Sequence, residues 1–498
     1  MHRFIIRNAM SACCVALTFG AVAAMAQVTK FDEDDPGKPT TYKMTVSPAG
    51  EPRPALKYRF LVPAVDQVHG NAATLYYKAM VFEGPDMWMA KQEVQEKIDA
   101  WREAPLGELP LEEIAKNVLH YHDQTAWQPL HDAARCDYCD WDDPIRESGA
   151  FTLLPQAQKM RNVARGIALR ARTEVATGEY SKAIDTLGLG YALSRNMGRG
   201  FCIVQSLIGI AIGGILDDQV LTLMAADKSP NLYWAMADLA AQPVDLRRAM
   251  SYETHMWEFT IHELADFGNR TLSNEDAAAL AKRVWSMLTR MRTWSFKETG
   301  VEDVAILAWT IQTYPEAKKY LLSHGYDEAK IDAMPLVQTA LVYRWKQYLY
   351  LRDDYFKWIL LPDDEMRGSI RQGHERVEVQ IKSGTGVPFS QELPVLRASI
   401  QATWRAERHI RMIQLIEALR MYAAENGRWP EKLDDIIEVP VPIDPWSQKP
   451  FEYAVKDGVA LLEAPSIPKA PWPLTVDQRY ELTLRADGKP KDGSKQEK

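Results

Sequence analysis

Cys136-Asp-Tyr-Cys139 puts two sulfurs within four residues, the separation of a redox dithiol or of half a metal site. In an oxidising compartment the same spacing closes a local disulfide, and a Cys136–Cys139 bond is the expectation, with metal binding and redox activity as alternatives. Asp140, not a histidine, follows the pair, so ordinary covalent haem attachment does not fit. A thioredoxin-like enzyme would need the motif after a strand and at a helix start, whereas it lies in a stretch rich in Asp, Trp and Tyr. His120, His122 and His131 would add nitrogen ligands for zinc or copper to those sulfurs. Their spacing matches no standard finger, and His120 and His122 are too close in sequence to share one helix face.

A second constellation is His255, Glu258 and His262, at i, i+3 and i+7 on a predicted helix over 244–266. On one face they would form a carboxylate–imidazole metal site, with Glu263 placed to act on bound water. This is not the His-Glu-x-x-His arrangement of metalloproteases, and a polar helix face accounts for the same residues. Arg161, Arg165, Arg172, Arg195 and Arg199 concentrate positive charge in an otherwise acidic chain. They would suit an acidic partner or an anionic polymer, or salt bridges to neighbours such as Glu174 and Glu179. No serine elbow, phosphate loop or dinucleotide glycine pattern is present; Gly188 and Gly190 share only the first spacing of the last and follow no strand.

The elements that must position these residues are helical. Apolar or small residues at three-and-four spacing (Met160, Val163, Ile167, Ala171, Val175) predict a helix over 154–177, broken by Gly178 and followed by a second through Ala183, Leu187 and Leu193. The Ala176-x-Gly178-x-Tyr180-x-x-Ala183 turn resembles one tetratricopeptide-type unit, but no 34-residue period repeats. Further helices are predicted over 202–226, 230–240, 244–266 and 274–294, and over 302–358 with breaks near Pro315, Gly325 and Pro335. A short strand is expected over 55–62. Residues 365–396, polar with scattered glycines, read as a linker or exposed loop.

Residues 397–463 carry the most specific pattern. A long helix closes at Asn426-Gly427, Trp429-Pro430 follows, Asp444-Pro-Trp-Ser-Gln-Lys-Pro450 makes a rigid turn, and a hairpin folds around Lys456-Asp457-Gly458. Through Tyr422, Asn426, Gly427, Pro430, Asp444, Pro445, Trp446, Pro450 and Tyr453 this stretch resembles the globular part of type II secretion pseudopilins. It departs from them at Ser447, where glycine is usual, and at Pro450, one residue late. No prepilin leader or polymerising helix precedes it, so the likeness implies a packing unit and not a pilus subunit. Over its length the chain also resembles uncharacterised exported helical proteins common in planctomycetes. That likeness rests on Pro230-Asn-Leu-Tyr-Trp-Ala235 with Asp238-Leu239, on Val244-Asp-Leu-Arg247, and on Leu419-Arg-x-Tyr-Ala423 with Asp444-Pro445. It implies location alone.

At the N-terminus Arg3 and Arg7 precede an apolar run ending in Ala24-Met25-Ala26, the pattern of a cleaved secretory signal peptide over 1–26. Cleavage removes two arginines and no acidic residue, taking the net charge from −8 to about −10. That balance argues against a generic nucleic-acid binder. The best later apolar stretch, 201–216, falls short of the roughly 20 residues a membrane span needs.

The expected organisation is therefore a flexible or peripheral segment (27–70), a helical body (71–364), the linker (365–396), the pseudopilin-like module (397–463) and a partly flexible extension (464–498). The fold class is mainly α: an irregular tetratricopeptide-like helical array with a small C-terminal α+β module. The favoured function is a periplasmic or secreted structural or protein-interaction scaffold with no cofactor, its partner another exported or envelope protein. Self-association is left open by 15 tryptophans that could serve a core or an interface. The alternative is a metal-dependent periplasmic enzyme using the His/Glu or His/Cys residues above, with zinc or another transition metal.

Overall fold

Pro155 opens a helix at the position where its missing N–H costs nothing, and α1 runs Pro155–Ala176. Val163, Ile167 and Ala171 are buried along it, as their spacing predicts. Gly178 turns the chain at φ +77°, which a side chain would resist, and α2 (Tyr180–Gly198) returns against α1. The computed structural model that shows this describes residues 28–31, 39–82, 92–120, 123, 126–290, 302–465 and 478–485. The signal segment 1–26 and His122 lie outside them.

Helix α3 (Ile203–Ala225) packs on α2 and α1. It is longer than the 16-residue stretch read from sequence: at 23 residues it is, among the described residues, the one helix long and apolar enough to cross a membrane. Here it is a core helix, with Ile212, Leu216 and Val220 fully buried. Its Gly209 lies so close to α2 that a Cβ there would come within 2.6 Å of the Gly198 backbone. The short helix α4 (Tyr233–Ala240) follows.

Two ends of the chain expected to be peripheral meet in a sheet. Strands β1 (Val28–Phe31) and β2 (Thr40–Val46) pair antiparallel. A small parallel pair, β3 (Val68–Asn71) with β4 (Cys136–Tyr138), is separate. Strands β5 (Glu452–Lys456) and β6 (Val459–Glu463) form the predicted hairpin. Strand β7 (Gln478–Leu484) joins the two halves, parallel to β2 and antiparallel to β6, giving the order β1-β2-β7-β6-β5. Tyr42, Met44 and Val46 alternate inward on β2, as Tyr480 and Leu482 do on β7. Residues 27–70 thus supply β1 and β2 and residues 464–498 supply β7; a pairing partner more than 400 residues away leaves no local trace in the sequence. The strand expected over 55–62 is instead a series of turns, although Phe60 and Leu61 are buried.

Beyond α4 the expected continuous helix over 244–266 is three short pieces, Arg247–Glu253, Met256–Thr260 and the 3-10 turn His262–Asp266. Thr254 and Thr260 donate their hydroxyls to Ser251 O (2.6 Å) and Met256 O (2.7 Å) at the two breaks. Such local bonds compete with helix continuation. Helix α5 (Asn274–Arg290) starts at Ser273, whose hydroxyl accepts from the Asp276 amide at 3.0 Å. Helix α6 (Glu302–Ser323) runs through Pro315 without the predicted break, and α7 (Leu336–Phe356) follows Pro335.

The expected linker 365–396 is not one. Helix α8 (Asp363–Lys382) and a 3-10 segment (Phe389–Val395) occupy it, with Ile370, His374, Val377 and Phe389 buried. The helical stripe was masked because its inward positions include Arg367 and His374, whose polar atoms are bonded: Arg367 Nη2 to Glu407 Oε2 at 2.5 Å, and His374 Nε2 to Tyr355 O at 2.9 Å.

Helix α9 (Leu396–Asn426) is about 46 Å long by its 31 residues and touches both hydrophobic clusters of the fold. Ile400 and Trp404 belong to the cluster built by α5–α8, whereas Met412, Ile416 and Leu419 belong to the cluster around α1–α4 and the sheet. Arg408 on α9 fixes the following turn, donating Nε and Nη2 to the two carboxylate oxygens of Asp444 at 2.8 and 3.0 Å, with both side chains fully buried.

Candidate functional site

Cys136 and Cys139 are free thiols, so the expected disulfide is not formed. Cys136 starts β4 and its Sγ donates to Asp132 O at 3.4 Å. Cys139 lies just past the end of the strand and is buried in the same hydrophobic cluster as Cys136. Burial, reinforced by Asp137 and Asp132, pushes the Cys136 thiol up, and burial with Asp140 pushes Cys139 up further. That is opposite to the depressed pKa a reactive dithiol needs. His131 packs edge-on to Trp127 at 5.3 Å, and burial lowers its pKa. His120 is exposed. A histidine the sequence reading passed over, His69, pairs with Asp137 at 3.1 Å on the surface.

The His255, Glu258 and His262 set is dispersed by the broken helix. His255 Nδ1 stands 3.7 Å from Glu258 Oε1, which accepts from Arg352 Nη1 at 2.9 Å. His262 Nε2 instead faces Arg146 O at 3.2 Å, and Glu263 is engaged by Arg283 at 2.5 Å. Among the described residues no group of three or more His, Cys, Asp or Glu is arranged to hold a metal ion.

The five arginines divide. Arg172 is a core residue, only 1% exposed, donating to Gln219 Oε1 and Thr222 Oγ1 (both 3.1 Å) and to Ala104 O. It is withdrawn from any partner. Burial lowers its pKa to about 10. Arg161 and Arg165 have neighbours on their own helix, Gln158 at 3.3 Å and Asn162 at 3.2 Å, and Arg165 also lies 3.4 Å from Asp99.

Arg195 and Arg199, at the end of α2, open onto a cleft of about 520 Å³ shared with Arg247, Arg248 and Arg367. Its walls are the 241–250 segment, α8 and α9, and its apolar floor includes Met250, Ile370, Ile400 and Trp404. The acidic lining is Asp245 and Glu407. Glu407 is taken by Arg367, whose guanidinium lies 5.6 Å from the centre of the Trp404 ring. Arg247 holds the carbonyls of Ile359 (3.1 Å) and Leu361 (3.2 Å) and lies 3.7 Å from Asp245. Arg195 donates to Gln242 Oε1 at 2.8 Å; burial lowers its pKa, and the neighbouring Arg199 lowers it further.

Arg199 and Arg248 complete the mouth. Both are exposed, and among the described residues neither has a carboxylate partner. Arg248 stacks on Phe201 at 3.9 Å and donates to Arg199 O at 3.4 Å, which fixes the two guanidinium-bearing segments together. The cleft is therefore a rigid, net-positive mouth over an apolar floor in an acidic protein. Chemically it can bind an anion attached to an apolar group.

Two of its five arginines were legible in sequence. Arg247 was visible only as the end of the Val244-Asp-Leu-Arg247 pattern, Arg248 was not singled out, and Arg367 lay in the segment expected to be a linker. Comparison of the chain with family models, with curated proteins and with solved structures gave no match.

Proposed function

We propose that this chain is an exported protein-interaction protein whose arginine-lined cleft receives an acidic segment of a partner protein, anchored by an apolar side chain. The observation that carries this reading is the pairing of two exposed, carboxylate-free arginines, Arg199 and Arg248, with the apolar floor beside them. Arginine suits this task because its planar fork binds carboxylates through two bonds and stacks on aromatics without losing charge. A cleft of this volume takes a few side chains, not a polymer groove. Export rests on the Arg3 to Ala26 pattern and on the resemblance to exported helical proteins.

The test uses a dye-labelled peptide of glutamate and leucine, with binding followed by fluorescence anisotropy. Each guanidinium–carboxylate contact is worth about 1.5–3 kcal/mol, and 1.4 kcal/mol is tenfold in affinity. Arg199→Glu with Arg248→Glu is therefore expected to weaken binding at least about tenfold. Added salt is expected to weaken the unsubstituted protein similarly. Equal binding by the charge-reversed protein, or by a peptide with glutamine in place of glutamate, overturns the reading.

A further inference from the structure

Strand β2 ends at Val46 and α3 ends at Ala225, and the two segments that follow them are clamped together from beneath by α9. Arg420 and Glu417 on α9 form an ion pair at 2.9 Å with both side chains fully buried. Arg420 directs its other donors to the two segments: Nε to Ser47 O at 2.9 Å, and Nη2 to Ser229 O and Oγ, both at 2.8 Å. Asn231 adds a bond from Nδ2 to Ala49 O at 3.0 Å, and the Lys228 amide donates to Ser47 Oγ at 3.3 Å. Together they frame a pocket of about 290 Å³. Ser47, Ser229 and Asn231, each 2% exposed, give it a buried polar floor, and Arg53, Lys57 and Lys228, all exposed, give it a cationic rim. We infer that this pocket binds a phosphate monoester, its tetrahedral head held by the three cations.

Charge, backbone and shape select that ligand. No carboxylate lines the pocket, and among the described residues none of the three cations has a carboxylate partner. The nearest acids in sequence are engaged elsewhere: Glu51 accepts from Trp234 Nε1 at 2.8 Å, and Asp227 lies 3.7 Å from Arg485 Nε. Three cations around one hollow repel one another until an anion joins them. Lys228 also sits at φ +53°, a conformation that glycine adopts without strain, so a lysine is held there against its backbone preference. The cations approach from two segments, Arg53 and Lys57 on one and Lys228 on the other. A phosphate head offers them three oxygens and nearly two charges, whereas a planar carboxylate offers two oxygens and one charge. Two of the three are lysines, point charges that impose no planar fork on their ligand. Lys57 Nζ lies 5.1 Å from the centre of the Tyr58 ring, which with Pro48 and Pro52 gives the pocket an apolar wall for the group the ester carries. The volume suits a small ligand and not a polymer. The pocket shares no residue with the arginine-lined cleft.

Isothermal titration of the full chain with phenyl phosphate, at fixed ionic strength, is expected to show one saturable site for which inorganic phosphate competes. Benzoate, planar and singly charged, is expected to bind at least about tenfold more weakly. Lys228→Gly removes one cation while easing the backbone, so it is expected to weaken phenyl phosphate about tenfold with no fall in melting temperature. Lys57→Gln, at an exposed position, is expected to weaken binding likewise. Arg199→Glu with Arg248→Glu, in the other cleft, is expected to leave it unchanged, which separates failure here from failure of the acidic-segment reading. Absence of a saturable site, phosphate that does not compete, or benzoate binding as tightly overturns the inference. So does unaltered binding by either lysine variant, or loss of binding when Arg199 and Arg248 are reversed.

Discussion

Asp217 is 3% exposed on α3 and accepts a 2.6 Å hydrogen bond from the Tyr191 hydroxyl on α2. His409 on α9 lies 3.9 Å from its other oxygen, and that ring in turn meets Gln478 at 2.9 Å and the Tyr480 hydroxyl at 3.0 Å on β7. Burial raises the Asp217 carboxyl from its ordinary 3.8 to about 6, against the opposing pull of His409 and Tyr191. The folded protein therefore holds this proton more tightly than the unfolded chain does. Its contribution is fully present below about pH 4 and declines as pH rises through about 6. Asp217→Asn keeps the acceptor for Tyr191 and abolishes the charge. Between pH 4 and pH 7 its stability relative to the unsubstituted protein is expected to rise by on the order of 2–3 kcal/mol, measured by urea denaturation at each pH. A flat difference across that range removes the argument. Nothing local marks Asp217 in the sequence, since Asp217-Asp218 reads as a polar step on a helix; only its neighbours from three other elements give it this environment.

At the scale of elements, the α2–α3 crossing is the tightest joint in the helical body. A methyl at position 209 would meet the Gly198 backbone at 2.6 Å and Ser194 O at 2.7 Å, with no flexible side chain to yield. Gly209→Ala is expected to destabilise by about 1–3 kcal/mol through overpacking. Gly214→Ala on the same helix meets nothing within 4 Å, and is expected to stabilise by about 0.5–1 kcal/mol through helix propensity. Thermal melts of the two variants should therefore move in opposite directions. Residue spacing alone does not separate Gly209 from Gly214, because periodicity reports a face and not the distance to the next helix. The same limit explains the helix missed over 365–382. Its inward face uses Arg367 and His374, and a polar residue reads as core only once its partners, Glu407 and Tyr355 O, are in view.

For the whole molecule, the joint between its two ends is β7, placed between β2 and β6. Removing residues 478–498 leaves those two strands without a partner between them and deletes the buried Tyr480, whose ring stacks on Tyr42 at 4.9 Å. Hydrogen exchange is expected to speed up together in Thr40–Val46 and Val459–Glu463, while α5–α7, which belong to the other hydrophobic cluster, keep their protection. Unchanged protection in β2 would show that its packing against the helices suffices without β7.

What the sequence determined by itself was whatever is encoded within a few turns of chain. The α1–α2 hairpin, the Gly178 break, the long helix ending at Asn426 and the Asp457-Gly458 hairpin were all legible, because each follows from residue spacing and local backbone preference. The tertiary structure alone decided which charges are available. It buried Arg172 among Gln219, Thr222 and Ala104, broke the helix meant to align His255 with His262, and gathered Arg199, Arg248 and Arg367 from three separated segments around one cleft. The physical reason is that desolvation and Coulomb interactions depend on distance through space, and a one-dimensional pattern carries that distance only for near neighbours.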